Sequence, residues 1–501
     1  MIKRSLLILL CLLLLTAASC GEAAQTTPQP GKDGVTTAAT EAVTETQYPD
    51  NLPADLDYGG SSVNFLYREE VADEFYVEKE DGDIVHDAIY QSMRAVEERL
   101  NVTIGVELRE GHLVAARNPY MNHISNVVMA GDSTYDWVDL MIGNSPLRAQ
   151  EGIFLNLLDN EMIDLSQPWY IPNLADTVSI LGQLYFISGD ASLGYLKCAF
   201  CMYFNQDLAK SYGVEDLYAV VEDGKWTVDK LIEVSKLACA DLNNDGKYDM
   251  EDQLGYVSHD SNHPKGFMYS MNAPVFSKQA DGNWVFDFGS EHDYAVSDKL
   301  YKLKKNTEGV FFFDGTNAIA DRLEEYNRIS AKFRSDEIFI ISAEMDDVVS
   351  QFRSMESSYG ILPYPKYDEV QESYYTASRN THNAFSMTAT CRDPAMAGAV
   401  LEALSSCKYQ EVFPTYFEVA LKTKYAQDNQ SAKIFDIIHD SMVLDFGYVY
   451  GNALSSVTDA MAVAIFDNAE TLASKIQSNQ KKAETAYEAY IQKIEDILAQ
   501  Q

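Results

Sequence analysis

The chain has 501 residues and a formal net charge of −38, because 76 acidic residues outnumber 38 lysines and arginines. A protein this acidic lacks the basic face that phosphate binding requires, which argues against nucleic acid as a partner. Its hydrophobic fraction of 46% is typical of a globular protein. A chain of this length predicts at least two domains.

Residues 1–19 have the layout of a signal peptide. Two basic residues precede a ten-residue apolar run, which is too short to cross a bilayer, and small residues then lead to Cys20. The segment 17–20, Ala-Ala-Ser-Cys, resembles a bacterial lipobox with alanine at the usual leucine position. The resemblance implies cleavage before Cys20 and lipidation of that cysteine, which would anchor the protein at the outer face of the cell membrane. Ordinary secretion with an incidental cysteine is the alternative.

Residues 20–56 are rich in Thr, Ala, Pro, Gly and Gln. Such a composition offers almost no apolar surface to bury, so we expect a disordered tether. A flexible spacer of this length would hold a globular body clear of the membrane.

Strands and helices alternate at the start of the globular part. Apolar periodicity predicts strands at 62–67, 102–108 and 137–142, with helices at 84–100 and 119–130 between them. This alternation indicates an α/β lobe with a mostly parallel sheet. Further helices are predicted at 227–240, 394–406 and 468–499.

Five cysteines remain after the predicted anchor, and an odd number does not indicate a disulfide framework. Cys198 and Cys201 form a C-x-x-C pair, for which a thioredoxin-like role is one alternative. Their flanking residues are typical of a buried strand, and buried free cysteines are common.

The segment 241–252 has the spacing of a calcium-binding loop. Side-chain oxygens recur at its positions 1, 3, 5, 9 and 12, position 7 offers a backbone carbonyl, and Gly246 permits the sharp turn. The aspartate at position 12 resembles the dockerin variant of such loops. We expect a structural Ca²⁺ here, and a solvated acidic turn is the alternative. The predicted ligands are Asp241, Asn243, Asp245, Lys247, Asp249 and Asp252.

Several segments resemble the extracellular solute-binding proteins of carbohydrate ABC importers. They are Asp-Tyr-Gly-Gly at 57–60, the helix segment 94–102, Tyr-Phe-Asn-Gln-Asp-Leu at 203–208, Gly-Lys-Trp-Thr-Val-Asp-Lys-Leu at 224–231, and Tyr-Gly-Ile-Leu-Pro-Tyr-Pro-Lys at 359–366. The resemblance implies an α/β protein with a two-lobe periplasmic-binding-protein-like fold, hinge crossovers and a ligand cleft between the lobes. Lobe 1 would comprise 57–192 and 359–410, and lobe 2 would comprise 193–358 and 411–501.

The same resemblance implies a binding protein rather than an enzyme. It would act as a monomer, capture a small solute, with a sugar or oligosaccharide favoured, and deliver it to the permease subunits of an ABC importer. Domain closure around the solute would be the mechanism.

Ligands of such sheets bind beyond the carboxyl ends of the strands, which directs attention to the residues after each strand and at the first crossover. Sugars also require aromatic faces that stack on the ring. The predicted ligand-binding residues are Tyr67, Arg68, Glu69, Asn144, Ser145 and Asp190, together with the aromatic residues Trp169, Tyr195, Tyr374 and Tyr375.

Two other functions stay open. The sequence contains no H-E-x-x-H, G-x-S-x-G or phosphate-loop motif, yet two of its 76 carboxylates could form the acid pair of a secreted glycoside hydrolase. The tether and the dockerin-like loop suggest a cell-surface adhesion or scaffold protein. Dockerins carry the loop in duplicate, so the single copy here argues against that function.

Overall fold

The structure is a computed structural model that describes residues 50–258, 262–313, 319–420 and 429–500. Residues 49–501 form a compact unit of their own. The predicted signal peptide, Cys20 and nearly all of the predicted tether lie outside the described residues. No described helix is both long and apolar enough to cross a membrane.

Thirteen strands are present in the described part of the chain. Nine form the sheets of the two lobes, two form a small hairpin, and two pair beside the crossovers. They are β1 Ser61–Arg68, β2 Val102–Arg109, β3 Trp137–Met141, β4 Phe200–Asn205, β5 Leu254–Ser258, β6 Phe276–Lys278, β7 Trp284–Phe286, β8 Val310–Phe312, β9 Ile338–Glu344, β10 Tyr359–Leu362, β11 Thr376–Ala377, β12 Asn383–Met387 and β13 Met442–Val443.

Helices connect these strands and cover the sheets. They are α1 Ile84–Leu100, α2 Val114–Met129, α3 Ser145–Ala149, α4 Leu174–Val178, α5 Gly194–Lys197, α6 Gln206–Ser211, α7 Leu217–Glu222, α8 Val228–Leu237, α9 Pro264–Ser270, α10 Glu291–Asn306, α11 Ile319–Arg334, α12 Asp347–Ser350, α13 Pro394–Ala420, α14 Asn429–Asp440, α15 Phe446–Val449, α16 Val457–Ala464 and α17 Ala469–Leu498. Short 3-10 turns occupy Glu69–Glu74, Ile142–Asn144 and Leu157–Asp159.

The first lobe is built on a four-stranded sheet in the order β12-β3-β1-β2. β1 pairs in parallel with β2 and β3, while β12 runs antiparallel to β3. The predicted parallel α/β arrangement is therefore confirmed for this lobe. It places the carboxyl ends of β1, β2 and β3 on one edge, beside the amino end of β12.

Helix α1 shows why the first lobe folds as its sequence predicts. The Asp83 side chain accepts hydrogen bonds from two first-turn amides, and Asn101 ends the helix in the left-handed conformation with φ 49°. The apolar face, which includes Ile89 and Met93, is buried and packs against α13. Burying each such side chain contributes about 1.5–3 kcal/mol.

The second lobe is built on a five-stranded sheet in the order β10-β4-β9-β5-β8. β9, β5 and β8 run in parallel, and β4 runs antiparallel to β9. The carboxyl end of β9 at Glu344 therefore lies beside the amino end of β4 at Phe200.

Strand pairing corrects one predicted lobe boundary. Residues 359–362, assigned to lobe 1 from the sequence, form β10 and pair with β4 in the second sheet. The chain re-enters the first sheet only at β12. Helix limits also differ: α2 begins five residues before the predicted position 119, and α13 continues from 394 to 420 rather than ending at 406. The predicted boundary at 410 thus falls inside a single helix.

Two crossovers between the lobes lie side by side. Ala199 forms an antiparallel bridge with Ser378, and the Arg379 amide donates to the Cys198 carbonyl at 2.9 Å. A third connection lies close by, because β11 pairs in parallel with β13. Cys201 lies in buried β4, as its flanking residues indicated, and both cysteines of the C-x-x-C pair are free.

Candidate functional site

Strand ends from both lobes meet at the crossover segment 379–382. Because β12 is antiparallel to β3, the residues before β12 lie beside the carboxyl end of β3, where the Ile142 amide donates to the His382 carbonyl at 2.9 Å. From the second lobe, Glu344 at the end of β9 lies 2.7 Å from Arg379 Nη1. The groups gathered here define the strand-end site: Arg68, His112, Arg117, Asn144, Glu344, Arg379, Asn380 and Asn452.

The backbones of the two lobes approach closely at Gly143. Its amide donates to the Asn380 carbonyl at 3.1 Å. A Cβ at Gly143 would lie 2.9 Å from Asn380 Nδ2 and 3.2 Å from the Asn380 carbonyl oxygen. Only glycine permits this approach, so the sequence Ile-Gly-Asn after β3 is a structural requirement of the site.

Arg68, predicted as a ligand residue, lies at the site but its side chain is committed to the protein. Its Nε is 2.6 Å from Asp139 Oδ2, and both groups are buried. Its Nη1 donates to the Thr381 carbonyl and to His112 Nδ1, each at 3.1 Å. Arg68 thus connects β1, the loop after β2 and the crossover, which makes it a positioning residue.

The two residues flanking Arg68 point in different directions. Tyr67 is fully buried, bonded to Ser192 at 3.0 Å and stacked on Phe75 with ring centroids 4.9 Å apart. Glu69 is exposed at the start of a 3-10 turn. Among the described residues, neither side chain forms a hydrogen bond or ion pair with the strand-end site.

His112 comes from the loop after β2, and Arg117 lies in the first turn of α2, which follows that loop. The Glu70 carboxylate holds this loop by accepting backbone hydrogen bonds, including one from Gly111 at 2.9 Å. Because a guanidinium only donates, the His112 Nδ1 that faces Arg68 is an acceptor and the ring is neutral. Burial, followed by the charges of Arg68 and Arg117, lowers the pKa of His112 to about 4. Arg117 Nε donates to the His112 carbonyl at 2.8 Å.

Asn144 contacts the C-terminal part of the chain. The Asn452 amide nitrogen donates to Asn144 Oδ1 at 2.8 Å and to the Gly143 carbonyl at 2.9 Å. Ser145 is buried and its hydroxyl donates to the Met141 carbonyl at 3.3 Å. Asn144 is therefore within the predicted site, whereas Ser145 supports the turn after β3.

Three other predicted residues lie around a different cavity, which we call the crossover cavity. It has a volume of about 720 Å³ and is lined by Tyr170, Asp190, Tyr195, Tyr409 and His439, among others. Trp169 lies next to it, with its ring centroid 6.3 Å from that of Tyr409.

Polar atoms at the crossover cavity lack partners. Asp190 Oδ2, Tyr195 OH and Trp169 Nε1 are buried, and none has a hydrogen-bond partner among the residues that the structure describes. Burial raises the pKa of Asp190 well above its usual range. Groups in this condition are costly unless water or a ligand satisfies them.

The remaining two predicted aromatic residues belong to neither the strand-end site nor the crossover cavity. Tyr374 is half-buried, its hydroxyl donates to the Val221 carbonyl at 3.1 Å, and Lys366 lies over its ring. Tyr375 lines a smaller cavity of about 360 Å³ with Tyr269 and Phe446.

The predicted calcium loop adopts a tight turn. The Gly246 amide donates to Asp241 Oδ2 at 2.9 Å, and Gly246 has φ 79°. Asp252 is buried and accepts from the Leu242 and Asp249 amides at 2.9 and 3.0 Å. Asp241 Oδ1 is buried and has no partner within the described ranges. Within those ranges, no group of three or more acidic, histidine or cysteine side chains is arranged to hold a metal.

Sequence reasoning missed six of the eight residues of the strand-end site, namely His112, Arg117, Glu344, Arg379, Asn380 and Asn452. A usable signal existed for three of them, because His112 and Arg117 follow β2 and Glu344 ends β9. The strand-end rule that selected Arg68 and Asn144 applies equally to those positions. Arg379 had no such signal, since it precedes a strand rather than following one.

Solved structures with the same architecture are solute-binding proteins. The galacto-N-biose/lacto-N-biose I-binding protein of a Bifidobacterium longum ABC transporter is similar at 12% identity, with a TM-score of 0.54 over 87% of this chain and 98% of that one. A cyclic maltosyl-maltose-binding protein from Arthrobacter globiformis is similar at 13% identity, with a TM-score of 0.54 over 86% of this chain and 99% of that one. This chain has the two-lobe solute-binding-protein fold. A cyclo/maltodextrin-binding protein is similar at 11% identity and a TM-score of 0.53, over 86% of this chain and 98% of that one. No protein-family model and no curated protein sequence matches the chain.

Proposed function

We propose that this chain is the solute-binding component of an ABC importer and captures a sugar or oligosaccharide at the strand-end site. The observation that carries the proposal is the meeting of polar side chains from both lobes at the carboxyl ends of their strands, where open α/β sheets bind ligands. The fold is shared with proteins whose ligands are oligosaccharides, which favours a saccharide.

Capture works through closure of the lobes. A solute that contacts Asn144 and Arg117 on one lobe and Glu344 on the other has more contacts in the closed state, so binding shifts the population toward it. The adjacent crossovers absorb the rotation. The closed form is the one that the permease subunits of the importer recognise, and the protein acts as a monomer.

The proposal favours binding over catalysis. Two carboxylates at the strand-end site, Asp139 and Glu344, are each engaged by an arginine. They are thus placed to position neighbouring residues, whereas a glycosidase needs one carboxyl group that reaches the substrate as an acid.

The test is a thermal-shift and calorimetric screen of residues 49–501, which form a compact unit, against mono- and oligosaccharides. We expect stabilisation by a saccharide that is recovered intact after long incubation, and a smaller radius of gyration by X-ray scattering when it is bound. Hydrolysis of the saccharide would favour the glycoside hydrolase. Binding to a protein or glycan surface without any soluble saccharide ligand would favour the adhesion protein.

We also propose that the protein is exported and lipid-anchored through Cys20. The residues before it support this, since small residues follow an apolar run too short to span a bilayer. Wild-type protein is expected in the membrane fraction, and Cys20→Ser is expected to release it to the soluble fraction. Recovery of the wild-type protein in the soluble fraction would contradict lipid anchoring.

A structural Ca²⁺ in the loop 241–252 completes the proposal. The buried, unpartnered Asp241 Oδ1 and the oxygen-rich donor set fit a hard cation. We expect chelation to lower the melting temperature and Ca²⁺ to restore it, and Asp241→Asn to abolish the response. Asp223→Asn, an exposed aspartate outside the loop, is the control. An unchanged melting temperature after chelation would favour the alternative, a solvated acidic turn without a metal.

A further inference from the structure

The strand-end site is cationic although the protein as a whole is strongly acidic. Arg68, Arg117 and Arg379 lie around it, with neutral His112 between them. Only 38 of the 501 residues are lysine or arginine, so three arginines around one site differ sharply from the composition of the chain.

Two of these arginines already have carboxylate partners. Arg68 forms its buried pair with Asp139, and Arg379 lies 2.7 Å from Glu344. The nearby Glu70 carboxylate is occupied by backbone amides of the loop 111–113. None of these three carboxylates is left to neutralise a further arginine.

Arg117 is the exception. It is half-buried, its Nε is held by the His112 carbonyl, and no carboxylate lies within ion-pair distance of it in the described part of the chain. The charges that act on it are those of Arg379 and Arg68, and together with burial they lower its pKa. Like charges held this close are unfavourable unless an anion joins them.

We propose that the solute of the strand-end site carries an acidic group, the carboxylate of a uronic acid or an ester sulfate or phosphate, which binds the free terminal nitrogens of Arg117. This inference rests on the proposed function and names its substrate class. A guanidinium offers two parallel donors that match the geometry of all three anions. Bonding the Arg117 Nε to a backbone carbonyl orients that fork before the ligand arrives, which lowers the entropy lost on binding.

Neighbouring groups suit the rest of such a ligand. Asn144 and Asn380 bring side-chain amides to the same strand ends, and the Asn144 amide oxygen accepts a hydrogen bond from Asn452. An acidic saccharide would therefore find a cation at the start of α2 and uncharged hydrogen-bonding groups beside β3.

The experiment uses three pairs of saccharides, each made of an acidic saccharide and its uncharged counterpart. They are trigalacturonate and its methyl ester, glucose 6-phosphate and glucose, and N-acetylglucosamine 6-sulfate and N-acetylglucosamine. Calorimetry on residues 49–501 measures each affinity for the wild type, for Arg117→Gln, for Arg117→Lys and for Arg353→Gln. Arg353 is exposed and is not one of the residues of the strand-end site, so it controls for the loss of one positive charge.

We expect the acidic member of one pair to bind at least about 10-fold more tightly than its neutral partner. Arg117→Gln removes that preference, Arg117→Lys keeps part of it, and Arg353→Gln leaves it unchanged. Equal affinity for both members of every pair, or a preference that survives Arg117→Gln, overturns the inference while leaving saccharide binding intact. Binding of none of the six saccharides overturns the proposed function and this inference together.

Discussion

The strand-end site and the crossover cavity differ in how their polar groups are satisfied. At the strand-end site, Arg117 hydrogen-bonds the His112 carbonyl but has no carboxylate partner among the described residues, and it remains reachable by solvent. At the crossover cavity, Asp190 Oδ2, Tyr195 OH and Trp169 Nε1 are buried and have no hydrogen-bond partner among those residues. The cation at the strand-end site suits an anionic ligand. The buried polar groups at the crossover cavity instead lack hydrogen-bond partners from the protein.

The strand-end site is thus preorganised for a ligand, whereas the crossover cavity contains groups that destabilise the folded state. The hydrogen bonds of Arg68, His112 and Arg117 hold a charged group in position, which favours a ligand whose charge is opposite. A buried carboxyl group without a partner lowers the stability of the folded state instead. The following four changes test that contrast, from the largest expected effect to the smallest.

Arg68→Met should have the largest effect. It removes the partner of Asp139 and leaves a buried carboxylate uncompensated, so we expect a loss of about 3–5 kcal/mol in the free energy of unfolding. Urea denaturation measures it. The double variant Arg68→Met with Asp139→Leu should recover much of the loss, because no charge is then left buried. A double variant as unstable as the single one would show that packing, not charge, holds the site.

Asp190→Asn should act in the opposite direction. Because burial raises the pKa of Asp190, the folded state binds this proton more tightly than the unfolded chain. Stability then falls as the pH rises from about 4 through the raised pKa. We expect the variant to be about 1–3 kcal/mol more stable than the wild type at pH 7, with the two converging near pH 4. Exposed Asp159→Asn is the control. Destabilisation at pH 7 would show that the carboxylate has a partner in solution.

Asn452→Ala should weaken the strand-end site modestly. It removes two hydrogen bonds to Gly143 and Asn144, for which we expect a loss of about 1 kcal/mol and a several-fold weaker affinity for the solute. Denaturation and calorimetry on the same preparation give both values. Unchanged affinity together with reduced stability would place Asn452 outside the binding machinery.

His112→Gln should have no effect at neutral pH. Because the folded-state pKa of about 4 lies below the unfolded value of about 6.5, the unfolded chain binds more protons between these limits. Wild-type stability therefore falls as the pH drops from about 6.5 to 4, and this component should be missing in the variant. His439→Gln, which changes a half-buried histidine outside the strand-end site, is the control. Identical pH profiles for wild type and His112→Gln would mean that His112 is charged in the folded state.

Elements with strong local signals were predictable. Helix α1 occupies the predicted range 84–100, because its apolar spacing, the Asp83 cap and the Asn101 end are all encoded within the segment itself. The parallel arrangement of β1, β2 and β3 followed from strands that alternate with helices. The assignment of residues 359–362 failed, because antiparallel pairing with β4 depends on residues more than 150 positions away.

The sequence predicted where the candidate site lies but not how its side chains are oriented. The rule that ligands bind beyond strand ends selected Arg68 and Asn144, which do lie at the strand-end site. Because β1 is buried on both faces near its end, its pattern could not show which way Tyr67 and Arg68 point. Asp190 was selected at the first crossover, and Trp169 and Tyr195 as aromatic residues; these three lie together, but around the crossover cavity.

The sequence by itself determined the α/β class, the order of the early elements, the acidic character of the chain and the export signal that we expect at its N-terminus. Each depends on composition or on periodicity over a few turns, which short-range contacts decide. The tertiary structure alone decided that Arg379 pairs with Glu344. It also decided that, among the described residues, Arg117 has no carboxylate within ion-pair distance and Asp190 Oδ2 is buried without a hydrogen-bond partner. These are properties of long-range pairing and desolvation, and they exist only once the crossovers bring distant strand ends together.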